Sequence, residues 1–281
     1  DGVIYKAGGM VVKNVAGYDV GKLLVGSLGT LGVILEINFK LCPLARARAV
    51  QAACLESKDA AKSFVQAFRH ARLEPASLSV LDPTATAALA TKLGTSLTGW
   101  TSLWVFEGNA ETVRYLEHEA RKVSSSDSLP AFAALDETLV APALDWLTDF
   151  ETPDDPTNGG LVIVRLSTLP THVFEVHDAL AKAVEPASVS ASFLADSLSG
   201  VCLARLEGTR EALENAIDKL KPHFAGLGRN ARLVFASPSI RQGHAYLLHP
   251  DSNRALAQRI QDVFDPGRVF QPGRVSPTPP H

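Results

Sequence analysis

The sequence predicts an α+β protein in which antiparallel strands form one sheet and helices pack against it. The main reason is an order of strand, helix, strand, strand, helix, strand that occurs twice after residue 48. A separate glycine-rich segment lies within the first 45 residues. In addition, 46% of the 281 residues are hydrophobic and 20% are charged, which is typical of a globular protein of one or two domains.

The glycine-rich segment, residues 8–43, contains a predicted short helix and a tight turn. Asp19 is a predicted N-cap, because its carboxylate can accept hydrogen bonds from the first turn of the helix that follows. Gly26, Gly29 and Gly32 then recur every three residues. Glycine adopts positive φ readily and leaves backbone amides unshielded, so we expect a turn that a ligand can approach closely.

Strands are predicted on both sides of this turn. Apolar and polar residues alternate over residues 33–41, which predicts a half-buried strand that Pro43 ends. Upstream, residues 3–5 and 10–12 flank a pair of glycines and predict a hairpin. The glycine spacing alone also fits an ordinary turn before a core strand, and it is neither the dinucleotide-binding fingerprint nor a Walker loop.

The first of the two rounds extends from residue 49 to residue 126. Its helices follow predicted N-caps at Ser57, Asp82 and Asn109. The helix after Ser57 carries apolar residues at the i, i+3, i+4 and i+7 spacing of one helix face. The predicted strands of this round are residues 49–55, 76–81 and 101–106.

Between the rounds, the sequence predicts a helix over residues 135–147, bent near Pro142, and an exposed acidic loop over residues 151–160. A final helix follows a predicted cap at Asp251. Together the rounds predict two ferredoxin-like halves that share an antiparallel sheet with helices on one face. The second round comprises strands 161–166, 189–194, 201–206 and 231–235 and helices 171–184 and 209–224.

Composition and spacing exclude several classes of function. A net charge of −3 argues against a nucleic-acid-binding surface, no apolar run has the length of a membrane span, and no signal peptide is visible. Cys42, Cys54 and Cys202 lack C-x-x-C spacing, which excludes a zinc or iron–sulfur site made by this chain alone. We expect the three thiols to be reduced core residues of a cytosolic protein.

The first residue is Asp1 and the only methionine is Met10. A start at Met10 would remove the strand predicted over residues 3–6. We therefore expect the natural start to lie upstream, so that the chain is a fragment or a processed product.

Two motifs resemble those of a known superfamily. Residues 11–36, VVKNVAGYDVGKLLVGSLGTLGVILE, resemble the second half of the FAD-binding domain in the vanillyl-alcohol-oxidase/PCMH superfamily, and most of all that of the FAD-binding (E) subunits of bacterial glycolate oxidases. Residues 264–274, FDPGRVFQPGR, resemble the closing motif F-D-P-x-x-x-F-N-P-G. The two motifs lie at opposite ends of the chain in the family order, which argues against coincidence.

The resemblance implies FAD as the cofactor and a division into three parts. Residues 1–45 would be the C-terminal remnant of a PCMH-type FAD-binding domain, residues 46–262 the ferredoxin-like cap domain, and residues 263–281 a tail that returns to the FAD domain. In the superfamily the G-T-L-G-V-I segment lies against the FAD with its backbone amides and carbonyls. Carried over, the predicted cofactor-binding residues are Ser27, Gly29, Thr30, Leu31, Gly32, Val33, Ile34 and Gln271.

Two positions in these motifs need comment. Gln271 stands where the family has asparagine, and its extra methylene moves the amide outward. Tyr18 and Asp19 can be read either as a packed aromatic and a helix cap or as support for the FAD pocket.

The resemblance also implies where the chemistry takes place. Catalytic 2-hydroxy-acid dehydrogenases of the superfamily carry an H-x-G-D-G-N-x-H type motif for metal and substrate, and no G-D-G-N occurs here. His172 and His177 are five residues apart, which is not the i, i+4 spacing of a helical metal pair, so no metal site is predicted. The chain is therefore interpreted as an oxidoreductase subunit, inactive as an isolated fragment, whose catalytic residues are unknown.

The expected partners are a second FAD subunit and an iron–sulfur subunit, with a small 2-hydroxy acid bound in a partner. The expected location is the cytoplasm, with any membrane association made through partner subunits, and the acidic loop is a candidate partner surface. Two alternatives stay open: an autonomous FAD-dependent dehydrogenase of another hydroxy acid or alcohol, and a non-enzymatic subunit whose flavin site has lapsed. The arginines that could hold a substrate carboxylate are Arg165, Arg205, Arg229, Arg232 and Arg241.

Overall fold

The computed structural model describes residues 3–7, 18–126, 130, 132–185, 188–227, 230–244, 247–248 and 251–270. The chain divides into two compact units. The first unit is Asp1–Pro43 with His249–His281, and the second is Leu44–Leu248. The assignment of residues 1–45, 46–262 and 263–281 to parts of a flavoprotein stays a prediction.

The second unit is built on one sheet of nine strands, in which every described pair of neighbours is antiparallel. The order across the sheet is β4-β1-β3-β2-β6-β7-β5-β8-β9. The strands are β1 (Ala47–Leu55), β2 (Ser77–Leu81), β3 (Trp100–Gly108), β4 (Ala133–Ala134), β5 (Leu161–Ser167), β6 (Val189–Asp196), β7 (Val201–Gly208), β8 (Asn230–Phe235) and β9 (Leu247–Leu248).

The strand order contains the same arrangement twice. β4-β1-β3-β2 in the first half corresponds to β8-β5-β7-β6 in the second, each with the 4-1-3-2 order of a ferredoxin-like fold. The halves meet where β2 pairs with β6, with Val80 opposite Ala195 and Leu81 opposite Leu194. The predicted α+β class with two ferredoxin-like halves in one antiparallel sheet is confirmed.

One face of the sheet carries most of the core. Four helices pack on it with their apolar sides inward: α2 (Lys58–His70), α4 (Ala110–Ser126), α6 (Val173–Val184) and α7 (Arg210–Leu227). The predicted caps of the first two are confirmed, since Ser57 Oγ accepts from Ala60 N at 3.1 Å and Asn109 Oδ1 accepts from Thr112 N at 2.8 Å. Each cap satisfies a backbone donor that the helix itself leaves unpaired.

The opposite face carries a second buried cluster. There α3 (Pro83–Leu93) and α5 (Glu137–Asp149) cover apolar residues of the first half, among them Val50 and Leu103. The prediction of helices on one face only is therefore wrong for this half of the sheet. The physical reason is that β1 and β3 bury side chains on both faces, so each face needs a cover. Pro142 lies inside α5, where the sequence predicts it.

Several short elements were not predicted from the sequence. They are the two-residue strands β4 and β9, the 3₁₀ turn Pro170–His172 and the helix α8 (Pro238–Gly243). A two-residue strand has no alternation to detect, because its pairing depends on a neighbouring strand rather than on its own residues.

The first unit contains two described helices, α1 (Val20–Leu24) and α9 (Asp251–Phe264). Its described residues include no strand, so the half-buried strand predicted over residues 33–41 is wrong. Val33 is 68% exposed and Leu41 86%, because a strand buries its alternating face only when a neighbouring strand holds it in a sheet. Residues 3–7 form no strand either, and residues 10–12 of the predicted hairpin lie outside the described residues.

The cysteines differ from the prediction in two of three cases. Cys202 is buried in the main core, and burial raises the pKa of its thiol to about 12. Cys42 and Cys54 are exposed, so the prediction that they are core residues is wrong.

The first prediction concerns a cluster of aromatic side chains in the main core. The Phe68 ring centroid lies 4.8 Å from that of Phe64, 4.5 Å from that of Trp104 and 5.1 Å from that of Phe132. We expect Phe68→Ala to lower the free energy of unfolding by ~3–5 kcal/mol, because it leaves a cavity among rings that cannot collapse. Phe68→Leu, the control, should cost clearly less in urea denaturation. Equal costs for the two variants would contradict this packing role.

Asp82 makes a second prediction, which concerns pH. It caps α3 by accepting from Ala85 N at 2.8 Å, and its burial raises the pKa of the carboxyl despite its backbone hydrogen bonds. A folded-state pKa above the unfolded value means that stability falls as pH rises from the unfolded value through the folded one. We expect Asp82→Asn, which keeps the cap, to gain stability relative to the wild type as pH increases through this range.

The measurement is urea denaturation of both proteins at several pH values between 3.5 and 7. Asp82→Ala is the control. It removes the same ionisation as Asp82→Asn and also the cap, so it should be ~1 kcal/mol less stable than Asp82→Asn at every pH. A constant difference in the free energy of unfolding between wild type and Asp82→Asn across the series would show that the Asp82 carboxyl has the same pKa in the folded and unfolded states.

Candidate functional site

The candidate site begins at the short helix α1. Asp19 Oδ1 accepts from Lys22 N at 3.1 Å, which confirms Asp19 as the N-cap. This backbone hydrogen bond, with help from the Lys22 side chain, lowers the pKa of Asp19. Tyr18 beside it is 98% exposed, so the interpretation as a packed aromatic is wrong for the first unit.

The helix ends in a left-handed glycine. Val25 N donates to Gly21 O at 3.0 Å, and Gly26 follows with a φ of 83°. Glycine is common at this position because a Cβ opposes the left-handed conformation. The left-handed conformation of Gly26 thus ends the helix.

A tight turn follows directly. Leu28 and Gly29 have φ values of 57° and 72°, and Thr30 N donates to Ser27 O at 3.1 Å across them. Two successive residues with positive φ inside such a hydrogen bond are typical of a type I′ turn. The Thr30 hydroxyl donates to the same carbonyl at 2.7 Å, so the buried threonine side chain fixes the turn from inside.

The three glycines of the repeat do not have the same role. Gly32 has no positive φ, so the expectation of a left-handed conformation there is wrong. A Cβ at Gly32 would lie 3.9 Å from Leu24 Cδ2, an ordinary contact. A Cβ at Gly29 would have nothing within 4 Å, so only its backbone conformation opposes a side chain.

The predicted cofactor-binding residues are brought together by the chain itself, as one continuous strip from the turn onward. Thr30 is buried, whereas Val33 and Ile34 are 68% and 46% exposed. The strip therefore offers backbone groups and apolar side chains, and it holds no titratable group. Gln271 lies outside the described residues, and contact of the others with a cofactor stays a prediction. The described members are Ser27, Gly29, Thr30, Leu31, Gly32, Val33 and Ile34.

The second motif contains a residue whose role the sequence analysis missed. Asp265 is 4% exposed, and its two carboxylate oxygens accept from Val269 N at 2.9 Å and Phe270 N at 2.8 Å. The carboxylate thus closes a compact turn after α9. The aspartate-proline pair at the end of a helix was the available signal, because aspartate commonly accepts from backbone N–H groups a few residues later.

The arginines that could hold a substrate carboxylate differ in their hydrogen-bond partners. Arg165 Nη1 donates to Glu151 Oε2 at 2.7 Å, and Arg241 donates to the carbonyls of Ala236 and Val234. Arg232 lies opposite Arg165 in the sheet, and Arg229 is outside the described residues.

Arg205 differs in position. It lines a cavity of ≈340 Å³ in the second unit, together with residues of α3, α5, β6 and β7. Its Nη2 donates to Asp154 Oδ2 at 2.8 Å.

Metal and membrane sites find no support in the described part of the chain. It contains no group of three or more His, Cys, Asp or Glu residues that could hold a metal ion. His177 packs on the rings of Trp100 and Phe193 at 4.6 and 5.3 Å, and burial lowers its pKa. Among the same residues no helix is both long and apolar enough to cross a membrane.

The chain matches no protein-family model. It is 42% identical over 82 residues to the glycolate oxidase subunit GlcD of Bacillus subtilis strain 168, which is 29% of this chain and 17% of GlcD. It is 60% identical over 40 residues to the glycolate oxidase subunit GlcE of Escherichia coli K12, which is 14% of this chain and 11% of GlcE. The matches thus span less than a fifth of each relative.

Solved structures show that the fold is shared more widely. An alkyldihydroxyacetonephosphate synthase superposes with a TM-score of 0.58 at 16% identity, over 92% of this chain and 50% of the other. A p-cresol methylhydroxylase with bound substrate gives 0.61 at 13% identity, over 84% and 54%. The 4-ethylphenol oxidase of Gulosibacter chungangensis gives 0.56 at 13% identity, over 85% and 55%. The chain spans about half of each.

The glycine turn makes the third prediction. We expect Gly29→Ala to raise the amide exchange rate of Thr30 about 5- to 100-fold, because a forced left-handed alanine costs ~1–3 kcal/mol. Gly32→Ala is the control, since φ there is not positive and the added Cβ makes an ordinary contact. Hydrogen exchange followed by mass spectrometry or NMR measures both variants. If the two substitutions change exchange at Thr30 equally, the positive φ at Gly29 does not limit the turn.

Proposed function

We propose that the chain belongs to a FAD-linked oxidoreductase of the glycolate oxidase kind and acts as its E-type flavin subunit. The observation that carries the proposal is the pair of matches to two subunits of glycolate oxidases, at 60% identity over 40 residues and 42% over 82. The fold shared with two oxidoreductases and a synthase adds support at the level of architecture.

The strip from Ser27 to Ile34 suits a large planar cofactor. The space around Gly29 is open, so backbone amides of the turn can approach a ligand without a Cβ between them. Val33 and Ile34 offer exposed apolar side chains beside the turn, and Thr30 holds the turn in shape from the inside. FAD, when bound, would supply acceptance of a hydride and its onward transfer as electrons.

The substrate, in this proposal, binds in a partner subunit. Oxidation of a 2-hydroxy acid needs a base for the hydroxyl proton and a cation or metal for the carboxylate. The described residues hold no metal-binding cluster, and the sequence has no G-D-G-N motif. We infer a cytoplasmic assembly with a second FAD subunit and an iron–sulfur subunit, in which this chain passes electrons.

The fourth prediction tests this function with the protein expressed from its complete gene. We expect FAD at close to one equivalent and no bleaching of the flavin on anaerobic mixing with glycolate or D-lactate. Co-expression with the partner subunits should restore bleaching. Absorbance at 450 nm in a stopped-flow instrument measures both, and a partner-only preparation is the control.

The other outcomes decide between the alternatives. Bleaching at a catalytic rate by the lone protein would show an autonomous dehydrogenase instead. Absence of flavin from the lone protein, with no more flavin in the complex than in the partner-only preparation, would show a partner-binding subunit without a flavin.

A further inference from the structure

The cavity at Arg205 lies within the second unit, on the face of the sheet that α3 and α5 cover only in part. Its volume of ≈340 Å³ falls in the range of small-molecule sites. The lining combines aromatic rings, hydroxyls, one guanidinium and three carboxylates. The residues are Thr84, Ala88, Trp146, Asp149, Phe150, Asp154, Ser190, Ser192, Arg205 and Glu207.

Arg205 provides a largely desolvated positive charge in this wall. Its side chain is 14% exposed, and its Nη1 donates to Thr152 O at 3.0 Å and more weakly to Phe150 O. The Nε–H group has no hydrogen-bond partner within the part of the chain that is described. Its ionic partner, Asp154, is 94% exposed, so a ligand carboxylate can replace it at little cost.

Two further carboxylates, those of Asp149 and Glu207, line the cavity. In the described structure neither forms an ion pair or accepts a side-chain hydrogen bond. Glu207 is two residues from Arg205 on the same face of β7, which places the two Cα atoms roughly 7 Å apart. The cavity therefore presents one positive position next to unpaired negative ones.

The remaining walls offer aromatic rings for apolar contacts and hydroxyl groups for hydrogen bonds. Trp146 and Phe150 meet edge to face with ring centroids 5.2 Å apart, and Phe150 also lies 6.0 Å from the Arg205 guanidinium. Ser192 stands opposite Arg205 and Ser190 opposite Glu207 in the register of β6 and β7. Each of the two charged side chains thus has one serine at the facing position of the neighbouring strand.

We infer that this cavity binds a small zwitterion with one carboxylate, one primary ammonium and an apolar side group, the chemistry of an α-amino acid. The carboxylate pairs with Arg205 in place of Asp154, the ammonium group pairs with Glu207 or Asp149, and the apolar group contacts Trp146. An anion alone would face two unpaired carboxylates. A cation alone would make no use of Arg205. The inference goes beyond the flavin function and does not depend on it.

The fifth prediction tests the cavity with three probes that share a phenylethyl group: L-phenylalanine, 3-phenylpropionate and phenethylamine. The signal is the indole N–H resonance of Trp146 in the full chain, assigned with Trp146→Phe. We expect L-phenylalanine to shift this resonance at concentrations at least tenfold below those needed for the other two. Equal or stronger effects of phenethylamine or of 3-phenylpropionate would overturn the zwitterion in favour of a plain cation or anion site.

Variants separate the two charged positions. Arg205→Gln, and Glu207→Gln combined with Asp149→Asn, should each weaken L-phenylalanine binding at least tenfold and reduce its advantage over the matching single-charge probe. Arg210→Gln is the matched control, since Arg210 forms an exposed pair with Glu214 on α7 and does not line the cavity. Its binding should be unchanged.

Asp154→Asn keeps the test independent of folding, because this side chain is exposed. We expect it to tighten L-phenylalanine binding about two- to fivefold, as an exposed competing carboxylate is worth little. Unchanged or weaker binding in Asp154→Asn would show that Asp154 does not compete for Arg205. No shift of the Trp146 resonance by any probe would overturn the site altogether.

Discussion

The pairing of β2 with β6 is the interaction on which the second unit depends. Backbone hydrogen bonds bracket it, from Asp82 N to Phe193 O at 3.1 Å and from Ser197 N to Leu78 O at 2.8 Å. Without this pairing each ferredoxin-like half would expose a strand edge with unpaired amides and carbonyls. With it, the sheet ends at the two-residue strands β4 and β9, and such short edges leave little backbone for further pairing.

The two faces of the sheet differ in the apolar clusters that they carry. One face carries the main core along both halves, whereas on the other the buried apolar cluster lies mainly in the first half and extends only to Leu194 and Leu203 of the second. α3 and α5 cover this cluster, and residues of both helices line the cavity together with Arg205 of β7. The cavity lies at the edge of this cluster. Its lining therefore combines apolar and polar side chains from both halves.

The sequence predicts most of what local rules decide. The caps Ser57 and Asn109 were read correctly because a cap depends on residues only three positions apart. The strand over residues 33–41 was wrong because alternation shows only that a segment suits a sheet, and pairing needs a second segment. The prediction that Cys42 and Cys54 are core residues was wrong for a similar reason, since burial depends on what packs over a residue. The position of the glycine turn was predicted correctly. Which of its glycines are left-handed could be learned only from the backbone φ angles of the structure.

The acidic loop over residues 151–160 shows how packing changes the meaning of a charged segment. By sequence it is an exposed acidic stretch and a candidate partner surface. In the structure Glu151 pairs with Arg165 and Asp154 with Arg205, and the carbonyl of Thr152 accepts from Arg205 as well. Glu151 and the Thr152 carbonyl therefore connect the loop to the sheet, and Asp154 contributes to the wall of the cavity. A partner that recognised this loop through its negative charge would meet Asp154 as an exposed carboxylate, whereas Glu151 is half-buried in its pair with Arg165.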